Sequence, residues 1–318
     1  MSGFDLSDLI GSHEAVVGVD VGGTKTHAVL FSDQGPIASA RRRTRTTGPS
    51  GIMKTLEDVL GEVAQQRETT GLRLVGIGIG IPGIVSTGQG TVSHGVNVGL
   101  PGADFPLAAL AAEHFATPVF LTNDVTAATL GSARLMGVGG DVALISIGTG
   151  LATGMILDGL PRYGALGSAG EIGHIPYIAD GLPCPCGQQG CLELFASGNA
   201  LGRMWPARDG LKPAESLLAA ASTGDETARD VLSVWMGAIA HTVTTVGLTL
   251  DIATILIGGG IAEIGAPFLA ALRAELERRA SGSQFLTHMD LTSRVALVPP
   301  GLEVAPLGAA LAAIGEAS

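Results

Sequence analysis

All three cysteines of the chain, Cys184, Cys186 and Cys191, lie in one short run, CPCGQQGC. Clustered thiolates of this kind can hold Zn²⁺, whose structural sites take four sulfur or nitrogen ligands in a tetrahedron. His174 is the nearest histidine upstream and is the fourth candidate ligand. Two glycines inside the run let it fold around an ion. The alternative is a set of three buried, reduced thiols. Glu171 and Glu193 flank the cluster. They read either as solvated surface acids or, if a metal pins the segment, as groups placed to recognise hydroxyls.

Phosphate chemistry is suggested elsewhere. DVGGTKT (20–26) follows an apolar strand. Gly22 and Gly23 allow consecutive N–H groups to converge on a phosphate, Thr24 and Lys25 add donors, and Asp20 at the strand end could hold a metal through water. An ordinary hairpin turn is the plainer reading of a lone Gly-Gly pair. IGTGLATG (147–154) places Gly148, Thr149 and Gly150 in a similar turn, with a common Gly-Thr-Gly hairpin as its rival. Gly258 and Gly259 precede an expected helix, whose N-terminus would suit a close approach to nucleotide. TND (122–124) ends a strand. Asp124 there is either a helix N-cap or a general base for phosphoryl transfer to an alcohol, and spacing alone favours the cap. The basic run RRRTR (41–45) reads as a solvated strand or loop.

These residues need strands and turns to present them. Residues 15–31 read as two strands joined by a glycine turn, with a third short strand near Ile37–Arg42. Ile52, Leu56, Val59, Leu60 and Val63 mark one face of a helix. LVGIGIGIPGIV (74–85) reads as a buried strand, followed by a helix near 106–116 and the strand PVFLTND (118–124). VALISIGTGLATGMIL (142–157) then repeats the first strand–turn–strand at a constant offset. Asp20 falls opposite Ser146 and Gly22 opposite Gly148. Two such copies imply two similar domains. The expected division is a small domain over 1–121, joined by a C-terminal helix at about 304–318, and a large domain over 122–303 with the zinc motif.

Composition narrows the class. The 318 residues are 46% hydrophobic and 15% charged, a globular balance. The net charge of −11 disfavours nucleic acid and anionic membranes as partners. No uninterrupted apolar run approaches the roughly 20 residues of a spanning helix. The opening MSGFDLSDLIGSHE has acidic residues and no basic region, which reads as no signal peptide and a cytoplasmic enzyme.

Taken in order, DVGGTKT, IPG, TND, GEIGH, CPCGQQGCLE and IGGG resemble the ROK family of bacterial sugar kinases, amino-sugar kinases and related repressors. The resemblance runs from about Val16 to the C-terminus. It implies an α/β, duplicated actin-like ATPase (ribonuclease H-like) fold, two domains around a central cleft that binds ATP and sugar. It implies Asp124 as catalytic base and Asn123 as a sugar ligand. Gly83 and Asn97 line the sugar site, and Glu171, His174 and Glu193 bind sugar hydroxyls, with His174 also a zinc ligand. Asp20 then positions Mg²⁺. Gly22, Gly23, Thr24, Lys25, Gly148, Thr149, Gly150, Gly258 and Gly259 face the nucleotide. Two stretches depart from the family pattern: Thr126 stands where asparagine is usual, and VGLPGADF lacks a tryptophan. The implied reaction is ATP-dependent phosphorylation of a hexose, glucose to glucose 6-phosphate. N-acetylmannosamine or N-acetylglucosamine is the alternative acceptor, and a sugar-sensing regulator is the rival class. Only 14 residues precede Ala15, too few for the DNA-binding domain of the repressors. The expected partners are a hexose or amino-hexose and further copies of the chain, as homodimer or homotetramer.

Overall fold

In the computed structural model, which describes residues 5–100, 102–207 and 210–317, apolar alternation builds a strand buried on both faces. This is β1 (Glu14–Val21). Val17, Val19 and Val21 face one core, which contains Ile52, Leu56 and Val59 of helix α1 (Pro49–Glu68). Val16 faces the other, with Leu307, Ala310 and Ala313 of α11 (Val304–Ala317). Both neighbours of β1 were legible as apolar runs: β2 (Lys25–Ser32), antiparallel to it, and β4 (Arg73–Ile81), parallel. β3 (Gly35–Arg43) and β7 (Val119–Asn123) complete a five-stranded sheet in the order β3-β2-β1-β4-β7. The hairpin β5 (Ile84–Ser86) and β6 (Thr91–Ser93) and helix α2 (Leu107–Phe115) lie between β4 and β7, and α3 (Asp124–Met136) follows β7.

Helix α11 lies so close to this sheet that Gly18 and Gly78 have no room for a side chain. A Cβ on Gly18 would strike the carbonyl of Pro306, and one on Gly78 that of Ala309. The same closeness recurs between α11 and α3, where Gly308 meets the Ala127 carbonyl and Gly131 that of Val304. Small residues here replace side-chain packing with backbone contact.

The second half repeats the pattern. β8 (Val142–Ile147), β9 (Leu151–Leu157), β10 (Leu160–Pro161), β11 (Thr254–Gly258) and β12 (Val295–Leu297) form a sheet in the order β10-β9-β8-β11-β12. Read from each first strand, this is the arrangement of the first sheet, 3-2-1-4-5. The expected duplication is therefore present in the strand order as well as in the turn motif. The helices are α4 (Glu193–Ala196), α5 (Gly198–Met204), α6 (Pro213–Ser222), α7 (Glu226–Leu250), α8 (Ala266–Ala280), α9 (Gln284–Met289) and α10 (Leu291–Arg294). Helix α7 is long and apolar enough to cross a membrane by length and composition. It is the core helix of this half: Trp235, Ile239 and Val243 are fully buried, and Trp235 packs on Phe268 of α8.

Two units result. One holds Met1–Gly140, Gly154–Ala169 and Glu303–Ser318, the other Asp141–Thr153 and Gly170–Leu302. The boundary lies at 140/141 and not at 121, because α3 packs on α11 and stays with the first sheet. A short return through 154–169, which no local pattern foretold, also belongs to the first unit. The C-terminal helix joins it, running from 304.

Candidate functional site

The parallel strands β1, β4 and β7 of the first unit end side by side, and ligands of open α/β sheets bind at such carboxyl ends. Asp20 is next to last in β1. Gly83 lies two residues beyond β4, at φ 120°, where a side chain is strained and a Cβ would sit 2.6 Å from the Ser93 carbonyl. Asn123 ends β7 and Asp124 begins α3. Here the structure corrects the cap reading of Asp124. The cap is Asn123, whose Oδ1 accepts from the N–H groups of Val125 (2.9 Å) and Thr126 (3.3 Å). Its Nδ2 donates to the Gly83 carbonyl at 3.2 Å. Asn123 thereby ties two strand ends together, and Asp124 occupies the first helical position.

The turn after β1 is a closed hairpin. The Gly22 N–H donates to the Lys25 carbonyl at 3.0 Å, so it is spent within the turn. Thr44 braces it, its hydroxyl donating to the Gly22 carbonyl at 2.6 Å and its N–H to the Thr24 carbonyl at 3.0 Å. Gly23, Thr24 and Lys25 remain exposed. Gly23 lies against Asn97, where a Cβ would be 2.9 Å from the Asn97 carbonyl. Asp20 is half-buried. Burial, then the charge of Asp124, and last that of Glu303 push its carboxyl up to about 7, while Lys25 acts in the opposite sense. The two carboxylates are therefore electrostatic neighbours at one sheet edge. Of the basic run, Arg41, Arg42 and Arg45 pair with Glu303, Glu62 and Asp58 on the surface, as the plainer reading expected.

In the second unit the turn Gly148–Gly150 is held from outside. The Gly148 N–H donates to the Gly150 carbonyl (3.1 Å), and the Gly148 carbonyl accepts from the Gly198 N–H (2.8 Å). Glu193 Oε2 accepts from the Leu151 N–H at 3.0 Å. A Cβ on Gly150 would strike that carboxylate, whereas one on Gly148 would meet nothing within 4 Å. Thr149 is exposed. Gly259, at φ 79°, lies against the Ile147 backbone. Gly258 is buried within β11, where a Cβ would lie 2.9 Å from Leu144 Cδ1. The helix expected directly after these glycines begins only at Ala266, and a 3₁₀ turn over Gly260–Ile264 intervenes.

The four expected zinc ligands converge. His174 Nδ1 lies 3.9 Å from Cys184 Sγ, Cys186 Sγ lies 3.6 Å from Cys191 Sγ, and all four ligand atoms fall within 4.8 Å of one another. A tetrahedron with Zn–S bonds of about 2.3 Å has edges of about 3.8 Å, so the donor set and its spacing fit. Cys191 is buried and Cys186 exposed. The Gln188 backbone N–H pulls the Cys186 thiol down to about 6, while burial pushes Cys191 up to about 12. The other ring nitrogen of His174, Nε2, faces Glu171 Oε2 at 3.9 Å. Burial raises the Glu171 pKa, countered by the charge of His174 and reinforced by that of Glu193.

Sequence reasoning missed His27 and Glu303, which join Asp20 in the first unit. They stand 276 positions apart, so no spacing could link them. The one available signal was a histidine inside an apolar strand.

Among known proteins, the glucokinase of Streptomyces coelicolor is 32% identical over 292 residues, 85% of this chain and 89% of that protein. The N-acetylmannosamine kinase of Yersinia pseudotuberculosis is 29% identical over 245 residues, 76% of this chain and 82% of that one. The crystal structure of a ROK family glucokinase from Streptomyces griseus, in complex with glucose and AMPPNP, matches with a TM-score of 0.77 at 27% identity. It covers 94% of this chain and 99% of that one. Residues 16–310 match the model of the ROK family, and the chain, with its actin-like ATPase fold, belongs to that family.

Proposed function

We propose that this ROK-family carbohydrate kinase transfers the γ-phosphoryl group of MgATP to a hexose, glucose to glucose 6-phosphate. The observation that carries the mechanism is the pairing of Asp20 and Asp124 at one sheet edge, with Asn123 and not Asp124 serving as the helix cap. The role of general base is assigned to Asp124, at the first position of α3. The sugar hydroxyl oxygen forms the new bond to phosphorus, the bond from phosphorus to the bridging oxygen of ADP breaks, and the hydroxyl proton passes to Asp124. Asp20 would hold the cation that accompanies ATP. That cation supplies neutralisation of phosphate charge. Gly23, Thr24 and Lys25 in the first unit, and Gly148, Thr149, Gly150 and Gly259 in the second, serve the nucleotide phosphates. Asn97, Asn123 and Gly83, with Glu171, His174 and Glu193, serve the sugar. The zinc ligands His174, Cys184, Cys186 and Cys191 would hold a structural ion, which supplies rigidity. His174, with Nδ1 toward the thiols, presents Nε2 on the side of Glu171.

The similarity to an N-acetylmannosamine kinase supports a second reading, in which the acceptor is an amino-hexose. An ADP-release assay across glucose, mannose, fructose, N-acetylglucosamine and N-acetylmannosamine decides between them. Glucose should give the highest kcat/KM. A tenfold or greater preference for N-acetylmannosamine, about 1.4 kcal/mol of discrimination, would install the second reading. Absence of sugar-dependent ADP release with all five would overturn the kinase reading.

A further inference from the structure

Asp20 belongs to a polar row that crosses the first sheet. Arg41 on β3 pairs with His27 on β2, His27 with Asp20 on β1, Asp20 with Gly80 on β4, and Gly80 with Thr122 on β7. Directly opposed residues share a face of the sheet. Here it is the face that α11 covers, since Val16, Val29 and Phe31 lie two or four residues along the same strands from Asp20 and His27, on the same face, and pack on Leu307 and Ala310. Two helix starts meet the row: Asp124 opens α3, and Glu303 immediately precedes α11.

Glu303 binds two members of the row. Its Oε2 lies 2.9 Å from His27 Nδ1 and its Oε1 2.5 Å from Arg41 Nη2. His27 is only 5% exposed. Burial above all, then Arg41 and Lys25, hold the imidazole pKa down to about 4, so the ring is neutral at physiological pH. A neutral ring with Nδ1 against a carboxylate carries its proton on Nδ1. Nε2 is then an acceptor, buried and without a partner among the described residues. Thr122 Oγ1, at the other end of the row, is equally buried and unpartnered. A buried acceptor left empty is costly, and ordered water is the usual answer.

We propose that His27, oriented by Glu303, is a positioning residue for phosphoryl transfer: its Nε2 accepts a hydrogen bond from a water seated against the Asp20 carboxylate and so fixes that carboxylate for the cation arriving with ATP. The inference rests on the kinase reading. It gives the C-terminal segment a task in the chemistry, since Glu303, the residue just ahead of α11, sets the tautomer of His27.

Two substitutions separate this role from that of a strut. His27→Asn keeps an N–H near Nδ1 for Glu303 and deletes the acceptor at Nε2. His27→Gln places an amide oxygen near Nε2 and gives up the bond to Glu303. Binding of Mn²⁺ with a non-hydrolysable ATP analogue, followed by electron paramagnetic resonance, reads cation affinity without turnover. His27→Asn should weaken Mn²⁺ about tenfold, the lower end of what outer-shell changes cost, while its thermal midpoint stays near that of the parent. His27→Gln should bind Mn²⁺ within a few-fold of the parent, at a lower thermal midpoint. Parent-like Mn²⁺ affinity in His27→Asn, or weaker binding in His27→Gln than in His27→Asn, would overturn the proposal. Imidazole ¹⁵N shifts of the folded parent give a test that needs no variant: they should show the Nδ1–H tautomer, and the Nε2–H tautomer would also overturn it. A parent that binds Mn²⁺ and the analogue but phosphorylates no sugar refutes the kinase reading alone, and the two variants still decide the role of His27.

Discussion

In the first unit β1 has a carboxylate, Asp20, next to its end, and the turn beyond it is braced by Thr44, the residue that follows β3 of the same sheet. In the second, β8 has Ser146 at the matching place, and the turn is braced from outside by Glu193 and Gly198. The strand order is the same in both. Duplication has preserved what main-chain pairing and apolar alternation dictate. The charges differ: one copy gathers Asp20, Asp124 and Glu303 at its edge, and the other fixes its acids beside a thiol cluster. A shared skeleton thus carries two kinds of site, one suited to proton and cation chemistry and one to holding shape.

The sharpest way to break this comparison is Asp124→Asn. With the cap supplied by Asn123, the variant should keep its thermal midpoint and sugar affinity while kcat falls about 10²–10⁴-fold, the usual worth of a positioned base. Turnover within a few-fold of the parent would remove the chemistry from the first unit. Asn123→Ala is its counterpart and should cost about 1 kcal/mol of stability as a lost cap.

For the second unit the large effect should be on stability. Metal analysis should find about one zinc per chain. Cys191→Ser should lose it and destabilise the unit by on the order of several kcal/mol. A chelated protein with unaltered melting and activity would show that the thiols merely pack together.

The charge excess at Asp20 predicts a pH effect. Its carboxyl pKa of about 7 in the folded chain lies above the ordinary 3.8. Folding therefore takes up a proton there, and its contribution to stability is complete below about pH 4 and lost as pH rises through 7. Asp20→Asn should remove that slope and melt above the parent at pH 8, by up to a few kcal/mol. Parallel melting profiles for the two proteins from pH 5 to 8 would refute the coupling.

Alanine at the second turn tests its bracing. Gly150→Ala must displace Glu193 and should cost about 1–3 kcal/mol. Gly148→Ala meets open space, so its stability should change by no more than about 0.5 kcal/mol. Any rise in its KM for ATP would then report phosphate approach alone, and an unchanged KM would take Gly148 out of the nucleotide site. The smallest effect is expected at the surface, where Arg42→Ala should cost only about 0.2–1 kcal/mol through its pair with Glu62.

Local order determined much of this. The apolar alternation of 16–31 and 142–157 fixed the strands, the face from Ile52 to Val63 fixed α1, and the run of thiols with His174 marked four ligands that do converge. Each is a short-range pattern, in which side chains close in sequence meet because strand or turn geometry brings them together. Three things lay beyond it. The cap fell to Asn123 and not Asp124, because the last β-conformation of β7 ends one residue earlier than spacing suggested. The boundary moved past α3, because glycines at 131 and 308 let α3 and α11 touch backbone to backbone. And Glu303 reached His27 and Asp20 only because the chain returns its final helix to the first sheet, a long-range contact that no local pattern in the sequence encodes.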